Sequence, residues 1–289
     1  MSLDNCPTQS KYARITTMLN LIVATHAEAE PLISALKLKK ISALLTCYQN
    51  EKIRLVISGM GKCKTATACG WLAEKNAQTR RTPNPSKSDA WLNIGIAGHQ
   101  QADLGTLMVA HKITDFATKK AWFPHRLFQS ILSSDLVTVD KPSAHYLDDQ
   151  LHDMEASAFV ESARHFSHAE LVQSLKVVSD NEDQPYSNIN AKLATRLIDD
   201  NTETIAECIE KLHTMADSIT PPDDQISDTI LNHWHFSVSQ TVQLERLLQR
   251  YRTIFPPMTE IPTELNKQGS SKEVLNWLRQ TVDMADGYQ

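Results

Sequence analysis

Three acidic segments of this chain have residue types and placement suited to chemistry. Asp153-Met154-Glu155 sets two carboxylates around a methionine at the mouth of a small-residue helix that begins Ala156-Ser157-Ala158. Ser179-Asp180 ends the apolar run Leu175 to Val178, and Glu28 follows the apolar run Leu19 to Ala24. In an α/β sheet, ligands gather outside the carboxyl ends of strands, so acids placed there are aimed at a ligand. A fourth segment, Ser58-Gly59-Met60-Gly61-Lys62, follows the strand expected over Lys52 to Ile57. Its two glycines allow a tight turn and a close approach of backbone N–H groups. The helix expected from Thr65 to Asn76 turns its positive end to that turn, which makes Gly59, Gly61 and Lys62 candidate anion ligands. The turn is not a P-loop, because GxxxxGK[ST] is absent.

The elements that must position these residues alternate. Leu19 to Ala24, Lys52 to Ile57, Ala90 to Ile94, Leu136 to Val139 and Leu175 to Val178 are short, apolar and mostly β-branched, and read as strands. The third leads into Gly95-Ile96-Ala97-Gly98-His99, and Gly105 to Asp115 reads as a hairpin continuation of the sheet. Helices are expected near Pro31 to Leu36, Thr65 to Asn76, Met154 to His165 and Ile198 to Ala216, the last with Ile205, Ile209, Leu212 and Met215 on one stripe. Polar loops are expected over 79–88 and 140–150. This alternation predicts an α/β fold with a mixed, largely parallel sheet wrapped by helices over 15–216. Residues 217–225 read as a linker, and 226–289 as a small helical appendage. In that appendage, Ser237 and Gln240 have capping-box spacing ahead of the stripe Leu244, Leu247, Leu248, Tyr251 and Phe255, and a Pro-rich break from Pro256 to Ser271 precedes a helix over Glu273 to Met284.

Composition excludes several classes. The net charge of -5 carries no footprint for nucleic acid or an anionic membrane. Lys and Arg number six against seven acids over 225–289, so the appendage offers no basic face for a helix-turn-helix contact, and a packing or oligomerisation role is expected instead. The longest apolar run is too short to span a bilayer, and the N-terminus lacks the apolar core of a signal peptide. Five scattered cysteines without a CxxC pair suit reduced thiols, so a cytoplasmic protein is expected. His165 and His168 lack a third clustered ligand, and no metal is expected.

Taken in order, the segments Ala24 to Glu28, Ser58 to Lys62, Asn93 to Gly98 with Leu104-Gly105, Asp153 to Ala158, and Ser179-Asp180 resemble the purine nucleoside phosphorylase family, nearest its methylthioadenosine/adenosylhomocysteine nucleosidase branch. The resemblance covers roughly residues 18–216. It implies a barrel-like central sheet flanked by helices, a homo-oligomer, a small nucleoside as ligand, and cleavage of the ribosyl C1′–N9 bond through an oxocarbenium-like sugar. By resemblance, Asp180 is the acid to the base and Ser179 orients it, while Glu155 grips the ribose hydroxyls over Met154. Glu28 then orients or deprotonates the attacking water. Ala97, Gly98 and Asp153 fall among the substrate-binding positions.

The sequence departs from the family at His99, where a second glycine is usual, and in the short stretch from Asp115 to Asp153 that normally contacts the purine. No arginine lies just before the Gly95 turn, which disfavours phosphate as the nucleophile. Lys62 and Arg54 are substitute anion ligands, so phosphorolysis, with phosphate as co-substrate, stays an alternative to hydrolysis without a cofactor. A non-catalytic nucleoside-binding or scaffold protein is the third reading. Each residue also has a plain structural alternative: Glu155 as a dipole-favoured helix acid, Asp180 as the cap of a turn, Glu28 as a surface acid like Glu30, and Ser58–Lys62 as a structural turn.

Overall fold

The structure is a computed structural model that describes residues 17–79, 89–142, 146, 148–219, 225–255 and 262–286. The chain divides into two compact units, one over residues 17–220 and one that holds the residues after 220.

The larger unit is built on strands β1 (Leu19–Val23), β2 (Lys39–Ile41), β3 (Cys47–Gln49), β4 (Ile53–Ile57), β5 (Ala90–Gly98), β6 (Leu107–Asp115), β7 (Ala121–Trp122), β8 (Leu132–Thr138), β9 (Leu151–Asp153) and β10 (Val172–Asp180). Strand β1 lies parallel to both β4 and β5, and β5 lies parallel to β10. From β10 the sheet continues through antiparallel β6 and parallel β8 to β9. Strand β9 returns to β5 through the pair Gly98 and His152. Strands β5, β10, β6, β8 and β9 thus close a five-stranded barrel. Strands β3 and β2 extend the far edge beyond β4.

Helices cover both faces. Leu32 of α1 (His26–Ala35), Leu197 of α4 (Ala191–Asp199) and Ile205, Ile209 and Leu212 of α5 (Thr202–Ile219) pack with Leu21, Leu92 and Leu175. On the other face, Cys69 and Leu72 of α2 (Lys62–Thr79) and Phe159 and Val160 of α3 (Ala156–Ala163) pack with Ile22, Trp91 and Ile113. Neighbours such as Leu21 and Ile22 serve opposite faces because strand side chains alternate. All nine residues of β10 are buried, as in a strand covered on both sides.

Two expectations are corrected. Strand β6 is not a hairpin continuation of β5, because β10 lies between them. The helix expected over Ile198 to Ala216 is two helices: α4 stops near Asp199, and Asn201 Nδ2 donates to Leu197 O at 2.9 Å and to Gly105 O at 3.0 Å before α5 begins. Helix α5 also runs through Asp217 to Ile219, where the linker was expected to have begun. Residues 220–224 of that linker, 80–88 of the first polar loop and 256–261 of the Pro-rich break lie outside the described residues.

The second unit contains α6 (Gln225–His233), α7 (Val238–Ile254), α8 (Thr263–Asn266) and α9 (Ser271–Asp286). Ile230, Trp234, Leu244, Leu248, Leu265, Val274 and Leu278 form a core of its own. Ser237 caps α7 through the capping box anticipated with Gln240. Among the described residues, no helix is long and apolar enough to cross a membrane.

Candidate active site

A cavity of about 420 Å³ opens at the carboxyl ends of β1, β5, β9 and β10. Glu28, Glu155 and Asp180, which are far apart in the chain, all line it, and Met154, Ala97, Gly98 and Ser179 contribute to its walls. A larger hollow of about 660 Å³ lies around His99, His111 and Asp135. There Asp135 is paired with His111 Nε2 at 3.0 Å and Lys112 Nζ at 2.8 Å. The three acids favour the smaller cavity as the chemical one.

A carboxylate offers about four lone-pair sites, and what holds each acid shows what it has left. Glu28 Oε2 accepts Thr25 N–H at 2.8 Å and Thr25 Oγ1–H at 2.6 Å, which closes the capping box of α1. Its Oε1 accepts Ile96 N–H at 3.0 Å and keeps one site for a ligand or water. Glu155 Oε1 accepts Gly61 N–H at 2.8 Å, so most of this carboxylate stays available to the cavity. Asp180 Oδ1 accepts the Ser179 hydroxyl at 2.6 Å, and Oδ2 accepts the Tyr146 hydroxyl. One lone-pair site remains on each Asp180 oxygen.

Asp153 differs. Its Oδ1 accepts the Thr138 hydroxyl at 2.7 Å, and its Oδ2 accepts Ala156 N–H and Lys176 Nζ, both at 2.8 Å. Asp153 also lines the cavity, but its side chain is fully buried and three donors hold its carboxylate, so it supports the site from behind. It also caps α3, so Glu155, which occupies the N-cap position without a side-chain cap bond, is left to face the cavity. Burial pulls the Lys176 ammonium down, but Asp153, Glu155 and Glu28 outweigh it and hold it charged. Burial, and then the Asp153 charge, push Glu155 up to about 7 against the pull of Lys176 and Gly61.

The anion site expected at Gly59, Gly61 and Lys62 is occupied from within the chain. Gly59 N–H donates to Ala24 O at 3.0 Å, and Gly61 N–H is turned to Glu155. Lys62 Nζ is bound to Asp140 at 2.7 Å and Asp115 at 2.9 Å. Burial opposes ionisation of Asp115, yet Lys62, Thr118 and Ser157 hold it well below the usual carboxylate range. The buried Arg54 is committed to Gln49 and Asn76, so neither substitute cation reaches the cavity.

Sequence reasoning missed Lys176 and Tyr146. The first had a visible signal, a lysine between Leu175 and Val177 in the stretch that leads to Asp180. Tyr146 had little, as one aromatic in a polar loop. The two glycines of β5 also gain a reason. A Cβ on Gly95 would lie 2.8 Å from Glu28 Oε1, and one on Gly98 would lie 2.7 Å from both Asp180 Oδ2 and Tyr146 Cε1.

By sequence, the chain matches no protein-family model and no curated protein. By structure it is similar to 5′-methylthioadenosine/S-adenosylhomocysteine nucleosidases. That from S. pneumoniae is 17% identical with a TM-score of 0.51, covering 69% of this chain and 100% of the other. The Helicobacter pylori enzyme is 11% identical with a TM-score of 0.54, covering 68% and 99%. The Arabidopsis thaliana 5′-methylthioadenosine nucleosidase is 17% identical with a TM-score of 0.54, covering 68% and 96%. The likeness spans nearly the whole of each of these proteins, and the α/β unit of this chain therefore has the fold of those nucleosidases.

Proposed function

We propose that this chain is an enzyme that hydrolyses the N-glycosidic bond of an adenine-type purine nucleoside. The observation that carries the reading is the convergence of Glu28, Glu155 and Asp180 on one cavity, each with lone-pair sites to offer. Glu155 accepts the 2′ and 3′ hydroxyls of the ribose over Met154. Glu28 Oε1 accepts a proton from the water that attacks C1′. As the C1′–N9 bond breaks, its electron pair passes to the base, and Asp180, entering the step with a proton on a lone-pair site that neither Ser179 nor Tyr146 occupies, delivers it to N7; solvent then takes the proton from Glu28 and returns one to Asp180. The products are free base and free sugar.

Water is favoured over phosphate by the charge of the cavity. No lysine or arginine is among its described lining residues, and Lys62 and Arg54 are held elsewhere. A multiply charged anion in a closed site needs charge-assisted donors. The solved structures that share the fold are named for 5′-methylthioadenosine and S-adenosylhomocysteine, which makes these nucleosides the first substrates to try.

The roles separate kinetically. Asp180→Asn is expected to lower kcat by about 10²–10⁴-fold, the usual range for a positioned acid. Glu155→Gln is expected to act mainly through KM. Near-normal turnover in Asp180→Asn would overturn the assignment. Thermal stabilisation by nucleosides without base release would favour a binding protein on this fold.

A further inference from the structure

We propose that Tyr146 is a positioning residue for Asp180, holding that carboxylate in the orientation in which it meets the base. The inference rests on the reading of Asp180 as the group that faces the base. Tyr146 lies in the connection between β8 and β9, on a different part of the barrel from β10. Its hydroxyl donates to Asp180 Oδ2, while the Ser179 hydroxyl donates to Oδ1 at 2.6 Å. Each oxygen is therefore held by a hydroxyl from a different element. The carboxylate cannot turn about its Cβ–Cγ bond without breaking one of these contacts.

The surroundings fix the phenol in turn. The His152 ring stands edge-on to Tyr146, with centroids 5.6 Å apart at 89°. Gly98 leaves the space that both groups share, since a Cβ there would meet Asp180 Oδ2 and Tyr146 Cε1 together at 2.7 Å. Tyr146 is buried and lines the cavity. Burial, then the hydrogen bond to Asp180 and its charge, push the phenol up, so it remains a donor. A phenylalanine would fill the same ring space. What only tyrosine adds is the O–H at Oδ2.

The test is a cycle of Tyr146→Phe, Asp180→Asn and the double variant, read by kcat, by KM and by the dissociation constant of adenine. A hydrogen bond to a charged group corresponds to about a tenfold to hundredfold effect. Tyr146→Phe is expected to lower kcat and weaken adenine by that order with little change in KM, and to add nothing in the Asp180→Asn background. Independent, multiplying effects would overturn the inference, as would a Tyr146→Phe chain that fails to fold, which would make the tyrosine structural. Coupled adenine binding without base release from any nucleoside would sink the hydrolysis reading and leave the Tyr146–Asp180 pair standing. Absence of adenine binding by the unaltered chain would overturn both.

Discussion

Two neighbouring acids, Asp153 and Glu155, look interchangeable in the sequence and differ completely in the fold. Asp153 is held by Lys176, Thr138 and the start of α3, whereas Glu155 keeps most of its carboxylate for the cavity. Burial and the Asp153 charge raise Glu155 to about 7, and the sign of the consequence follows. The ionised form is the better acceptor of ribose hydroxyls. Nucleoside binding should therefore strengthen as pH rises through about 7, while binding of free adenine should not change by this route. Calorimetric titrations across neutral pH check this, and parallel pH profiles for the two ligands would contradict it. Stability moves the other way. The folded chain retains a proton that the unfolded chain releases near 4.5, so stability from this group falls as pH rises from 4.5 to about 7 and is level above that. Glu155→Gln should then raise the denaturation midpoint above neutral pH, at the expense of binding.

At the scale of elements, the site is a property of strand ends. Strand β10 brings Lys176 and Asp180 to it, and β5 brings Gly95 and Gly98 beneath Glu28 and Asp180. Lys176→Met would leave the buried Asp153 without its cation, and a cost of roughly 3–5 kcal/mol is expected in denaturant titrations. A loss of well under 1 kcal/mol would show that the ion pair does little for the fold. Gly98→Ala must displace Asp180 or Tyr146, so base release should fall more steeply than thermal stability. These strand ends were legible in advance, because β4, β5 and β10 hold mostly apolar runs that lead into glycines or an acid, and β1 is followed shortly by Glu28. The three-residue β9 was not legible, since a run that short shows no period, yet it carries Asp153 and closes the barrel. Nor was the fate of Lys62: its spacing suggested an anion, and only the fold shows Asp115 and Asp140 already there.

For the whole molecule, the alternation of strands and helices was enough to anticipate an α/β unit and a helical appendage. Closure of the barrel depends on pairings between strands remote in sequence, which alternation does not reveal; the expectation of a barrel-like sheet came from the family resemblance, and the structure bears it out. Every residue placed in the site lies within residues 17–220, and the C-terminal helices have their own core. A chain ending at Thr220 is therefore expected to retain base release, and loss of turnover in a truncated chain that still melts cooperatively would contradict this.

Cleavage of an N-glycosidic bond with water is the reaction proposed for this cavity. Its most direct test follows both products from 5′-methylthioadenosine, S-adenosylhomocysteine and adenosine in buffers with and without phosphate. Adenine and an unphosphorylated sugar are expected in phosphate-free buffer, at a rate that phosphate does not raise, with both products lost in Asp180→Asn. Release of adenine only when phosphate is present, with a sugar 1-phosphate as the second product, would contradict it.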